Sequence, residues 1–206
     1  MNNDPLKAQG FRTQRAELPE DLWQPLYDRV NYISGTTTSM TFFSASRGSS
    51  ASLITGVAAA ANKSKDFRDT NMENSNVVPT KMFKFVGISL ALINQAPGTA
   101  TDAQDRDRWR NNGYFRFRIV DKDILYLPLI ALPELNPLGV AATTANATTI
   151  LGCGGAGSPM YKLPIPITLN PFENFTVEIN HPTAVTLGGN SMDIMVILQG
   201  FMRRPT

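Results

Sequence analysis

Three sets of residues in this 206-residue chain have types and spacings that invite chemistry. The run Gly152-Cys153-Gly154-Gly155-Ala156-Gly157 fits the G-x-G-x-x-G pattern of a dinucleotide-binding turn. Glu178 follows about twenty residues on, the distance at which an acid would meet a ribose. That turn works only between a strand and a helix whose N-terminus faces the pyrophosphate. Pro159, Pro164 and Pro166 bar a helix there, so a flexible glycine loop is expected. Cys153 and His181, the sole cysteine and the sole histidine, are a formal nucleophile–base pair. They sit on different loops, nothing near Cys153 lowers its pKa, and no second imidazole exists to share a metal. An incidental thiol and a surface histidine are the expectation.

The acids offer a second route. Asp102, Asp105 and Asp107 interleave with Arg106, Arg108 and Arg110 around Trp109. Alternating signs predict mutual neutralisation on a short helix or loop that faces solvent or a neighbour. The oxygen-ligand spacing of a calcium loop is missing. Glu134, Glu173 and Glu178 would make a glycosidase-like pair only if the fold set two of them about 5–9 Å apart. The Asn174-Phe175-Thr176 sequon is expected to be idle.

The third set is basic. In YFRFRIV (114–120), Phe115, Phe117 and Ile119 fall on one strand face, Arg116 and Arg118 on the other. Beside Tyr114 such a face suits single-stranded nucleic acid, by stacking plus phosphate contact. Pairing with a neighbouring subunit is the preferred expectation. Lys7, Arg12 and Arg15 stand against Asp4 alone near the start, and Arg203 and Arg204 lie near the end. These are the residues expected to touch genome or assembly partners. A net charge of +2 rules out a nucleic-acid binder basic over its whole surface.

The elements that must carry these residues read mostly as strands. Residues 1–33 are expected to be an extended arm with a short helical segment. Leu18, Leu22, Leu26, Val30 and Ile33 fall at helical steps, with Pro25 as a break and Trp23 and Tyr27 as anchors. Residues 34–206 are expected to form the folded domain. Strands are predicted at 36–44, 52–59, 82–93 and 114–120, then a buried strand within 124–132 that closes a hairpin through Asp121-Lys122-Asp123. Further strands are predicted at 163–169, 175–179 and 192–202, with Pro164 and Pro166 marking an edge. Residues 62–80 read as a polar loop or short helix. Residues 133–158 read as a long Pro-, Thr-, Ala- and Gly-rich connection of the kind that makes contacts. About eight strands without βαβ alternation predict an all-β, jelly-roll-like antiparallel sandwich.

Composition narrows the function classes. Hydrophobic residues are 42% and charged residues only 17%, which permits a core and leaves a rather neutral surface. One cysteine excludes an intrachain disulfide framework. No apolar run is long enough for a membrane span. The opening Met1-Asn2-Asn3-Asp4-Pro5 lacks secretory-signal features, so assembly in a host cytoplasm is expected.

The segments PIPITLNPFENFTVEIN (164–180) and MDIMVILQGFMRR (192–204) resemble the end of viral single jelly-roll coat or virion proteins. The resemblance is one of pattern and spans roughly residues 80–206. It implies a virion structural protein, bacteriophage rather than eukaryotic, that assembles with copies of itself and other virion proteins into a capsid or an attached vertex or tail part. The basic arm would then reach packaged nucleic acid or a neighbour. Neither catalysis nor a cofactor is expected. The rival expectation is a β-sandwich module that binds carbohydrate or a receptor through Trp109 and Tyr161.

Overall fold

A computed structural model describes residues 21–55, 59–76, 81–94, 100–135, 160–188 and 191–203. Strands β1 (Asp21–Trp23), β2 (Leu26–Ile33), β3 (Ser39–Phe42), β4 (Ser50–Leu53), β5 (Ala61–Ser64) and β6 (Met82–Asn94) precede a helix, α1 (Ala100–Asn111). Then follow β7 (Tyr114–Ile119), β8 (Lys122–Pro128), β9 (Tyr161–Leu169), β10 (Phe175–Asn180) and β11 (Ser191–Arg203), with a 3-10 turn at Leu129–Ala131.

Among the described residues, nine strands form two antiparallel sheets. One has the order β2-β11-β6-β9, with β1 also on β11, and the other β3-β10-β7-β8. Leaving aside β1 and the small β4–β5 hairpin, the first of the eight remaining strands pairs with the last, the second with the seventh, the third with the sixth and the fourth with the fifth. The chain is therefore one long hairpin rolled into a sandwich, the jelly-roll arrangement. The expected all-β sandwich is present.

Strand alternation fills the space between the sheets with aromatic rings. Phe83 and Phe85 from β6, Phe115 and Phe117 from β7, Phe175 from β10 and Phe42 from β3 are fully buried. Phe85 meets Phe117 edge-on across the sandwich at 4.9 Å, a geometry that adds to the apolar burial. At Gly200, where β11 shifts register against β6, a Cβ would sit 2.5 Å from the Lys84 carbonyl oxygen, so only glycine fits the bulge.

Three expectations need correction. Residues 21–33 are not helical: β1 and β2 both pair with β11, so this stretch belongs to the first sheet and not to an arm. A step of four residues is two strand repeats as well as roughly one helical turn, so Leu22, Leu26 and Val30 fit either period. Pro25 and the hydrogen bonds available along β11 decide for strand. Residues 124–132 are not a buried strand, because β8 is the outer strand of its sheet and Ile124 and Tyr126 are exposed. Residues 62–80 are not a plain loop, since their start belongs to β5. The edge at Pro164 and Pro166 stands as expected: both lie on β9, in a stretch skipped by the register with β6. Residues 1–20 and 136–159, with the arm and the glycine run, lie outside the described residues.

Candidate functional site

Most ionisable groups inside the molecule hold pieces of the fold together. Residues 44–55 and 59–72, which include β4 and β5, lie along the outer edge of β2. Asn71 acts as a substitute strand there. Its Oδ1 accepts from the Tyr27 N–H, its own N–H donates to the Tyr27 carbonyl and its Nδ2 donates to the Pro25 carbonyl. An edge that would invite foreign strands is thereby covered. Charges clamp this strap to the sheet. Asp193, fully buried on β11, accepts from Arg29 Nε at 2.8 Å, from Asn31 Nδ2 and from the Ile54 N–H at 2.8 Å. Arg29 also reaches Asp69 and the Ile54 carbonyl, while Lys63 meets Asp69 at 2.7 Å. Asp28 accepts from Lys65 and from the Phe43 N–H, both at 2.7 Å. Burial raises the Asp28 carboxyl above its ordinary value, and Lys65 opposes that rise.

A second polar cluster docks α1 on the end of the sandwich. Its buried positions Asp102, Asp105, Arg106 and Trp109 fall at i, i+3, i+4 and i+7, the spacing of an apolar stripe, yet three of the four are charged. Arg106 joins Asp102 and Glu134, and Asp105 accepts from the Gly188 N–H at 2.7 Å. Burial pushes the Glu134 carboxyl upward despite Arg106. Trp109 is packed between Tyr32 and His181. His181 Nε2 is 3.0 Å from the Trp109 carbonyl oxygen; with the proton on Nε2 the ring donates there. Burial lowers the His181 pKa.

The described surface with the most varied chemistry is the outer face of β3-β10-β7-β8. Register places Tyr114 beside Asn180, Arg116 beside Glu178 and Arg118 beside Thr176, with Tyr126 across from Arg116 on β8. Arg116 makes a two-pronged bond to Asp123 at 2.8 and 3.0 Å and reaches Glu178 at 3.4 Å. The bond from Arg116 holds the Asp123 carboxyl below its ordinary value. Arg118 lies 3.3 Å from the same carboxylate. The Arg116 guanidinium is 5.5 Å from the Tyr126 ring, and Tyr114 and Tyr126 are neighbours at 6.0 Å.

The expected site residues fall in different places. Arg116 and Arg118 share one face, paired inside the chain. Arg203 pairs with Asp21 across β11 and β1 at 2.8 Å. Lys7, Arg12, Arg15, Arg204 and Cys153 lie outside the described residues. Trp109 is fully buried, which overturns its expected role as a ligand-facing aromatic, and Tyr161 is half-buried against the core. His181 is buried, not at the surface. The helix expected to face solvent or a neighbour turns Asp102, Asp105 and Arg106 inward, while Asp107 and Arg108 stay exposed. Glu134 pairs with Arg106, Glu173 accepts from Asn170 in the β9–β10 turn, and Glu178 stands on the outer sheet face. Among the described residues no group of three His, Cys, Asp or Glu side chains is placed to hold a metal ion, and no helix is long and apolar enough to cross a membrane. Tyr126 escaped the sequence reading. Its alternation with Leu125 and Leu127 was the available signal, masked by the apolar run around it.

No protein-family model matches the chain, and no curated protein matches it in sequence.

Proposed function

We propose that this chain is a structural subunit of a virion, a jelly roll that assembles with copies of itself into a shell or an attached vertex or tail part. One observation carries the proposal: the eight-strand roll presents buried charges that serve as clamps and an outer sheet face on which Arg116 and Arg118 are already paired with Asp123 and Glu178. Jelly rolls recur in viral coats, lectins and cupins, and the coat role is taken here by fold analogy. A cupin-like metal chemistry would need a ligand cluster. A subunit that packs against symmetry mates needs what is described instead, namely pinned loops, a covered β2 edge and neutral contact faces. Sedimentation velocity of the purified chain tests it. Discrete, fast-sedimenting species that form from subunits at micromolar concentration are expected, and a concentration-independent 22.6 kDa species would refute it.

The second reading is a glycan- or receptor-binding module. Trp109 no longer supports it, but Tyr114 and Tyr126 beside Glu178 and Asn180 do, because exposed rings flanked by polar groups suit sugar stacking. Glycan-array binding lost in Tyr114→Ala would favour this module over the shell.

A further inference from the structure

We infer that β8 is a self-association edge, along which two copies of the chain pair antiparallel about a two-fold axis at Tyr126. The partner is a second copy, and in that choice the inference rests on the self-assembly reading above. Hydrogen-bond alternation fixes which backbone groups are on offer. The Leu129 N–H donates to the Gly113 carbonyl at 3.0 Å, so in the antiparallel ladder Phe115–Leu127 and Phe117–Leu125 are the hydrogen-bonded pairs. Tyr126 and Pro128 occupy the intervening positions, and the Tyr126 N–H and C=O therefore point away from β7 into the open edge. Pro128 has no N–H to lose there, which is why a proline is tolerated in this strand.

The other edges of the sandwich are managed. Residues 44–55 and 59–72 cover β2, β9 carries Pro164 and Pro166, and β3, the remaining edge, is only four residues long. Along β8 the described side chains invite contact: Ile124 is 40% exposed, Tyr126 52% and, just beyond the strand, Ile130 61%. The surrounding charge is self-complementary. Arg116, Arg118 and Lys122 stand with Asp121, Asp123 and Glu178, three of each sign. A balanced patch does not draw phosphate, whereas an isologous contact sets each residue against its counterpart's neighbours and uses both signs. Pairing about Tyr126 exchanges two backbone bonds between the copies. It sets the two Tyr126 rings side by side, each flanked by its own Arg116, and brings Ile124 of one copy beside Pro128 of the other. Two four-stranded sheets then become one of eight strands.

The test places one cysteine on the edge. In a Cys153→Ser background, Tyr126→Cys should oxidise to a covalent dimer, because hydrogen-bonded antiparallel partners lie about 5.5 Å apart at Cα, within disulfide reach. Ile165→Cys on the β9 edge serves as the control and should stay monomeric on non-reducing gels. Tyr126→Pro, which removes the outward N–H without touching the β7 ladder, should weaken association about tenfold or more with the circular dichroism unchanged. If that variant does not fold, the cysteine pair decides alone. Assembly of the Tyr126→Cys variant that proceeds without a covalent cross-link would overturn the β8 pairing and leave the shell reading standing. A wild-type chain that never associates would overturn both.

Discussion

Replacing Asp193 by alanine should unclamp the strap over β2. Asp193 is fully buried and takes three hydrogen bonds, from Arg29, Asn31 and the Ile54 N–H. Its removal leaves the largely buried Arg29 with Asp69 at 3.3 Å and the Ile54 carbonyl at 2.8 Å. Breaking a buried pair by deleting one partner costs about 3–5 kcal/mol, and because Arg29 keeps Asp69 the lower end, about 3 kcal/mol, is expected. With a urea dependence of about 2 kcal/mol per molar, the unfolding midpoint should fall by roughly 1.5 M. Equilibrium unfolding in urea reads this directly, and limited trypsin digestion should cut faster at Arg47 and Arg68 in the loosened strap. The double variant Arg29→Met/Asp193→Leu, which removes both charges, should recover most of the loss. A midpoint shift below about 0.5 M in Asp193→Ala, roughly 1 kcal/mol at that slope, with unchanged tryptic sites, would refute the clamp.

Two further outcomes follow from named residues. His181 is buried against Tyr32 and Trp109, and its folded pKa lies below the unfolded value near 6.5. Its contribution is therefore complete above that value and is lost as pH falls toward the folded pKa, since the unfolded chain takes the proton first. Unfolding midpoints at pH 7.5 and 5.5 should differ, and His181→Gln should flatten that difference; an equal slope in both proteins would contradict it. Asp28 and Glu134, both raised by burial, act in the opposite direction at lower pH. Val120 in the β7–β8 turn has φ +53° and is 61% exposed. That backbone costs a β-branched residue about 1–2 kcal/mol, part of which glycine's entropy takes back. Val120→Gly should thus raise stability by about 0.5–1 kcal/mol in the same urea assay, and a loss would show that the turn is unstrained.

The sheets were legible where alternation was clean. Phe115, Phe117 and Ile119 against Arg116 and Arg118 gave β7 its two faces, and the proline pair marked β9 as an edge. What stayed hidden were polar residues used as interior structure. Asp28 sits at an inward position of β2 and so broke the apolar pattern there. The face of α1 that docks is charged, so its 3.6 periodicity could not be seen in hydrophobicity. His181 and Trp109 looked like a surface histidine and a ligand platform because their mutual contact joins residues 72 positions apart. On β8 the reverse occurred: a continuous apolar run implied burial, whereas the strand is an edge with Ile124 and Tyr126 turned outward. Long-range partners decided each case, and local sequence does not encode them.

Self-assembly of this subunit is tested most directly by light scattering of the native protein, with negative-stain microscopy of the same sample. The account predicts a mass many times 22.6 kDa and closed particles or regular rings built from one repeating unit. A monodisperse 22.6 kDa monomer with featureless fields would contradict it.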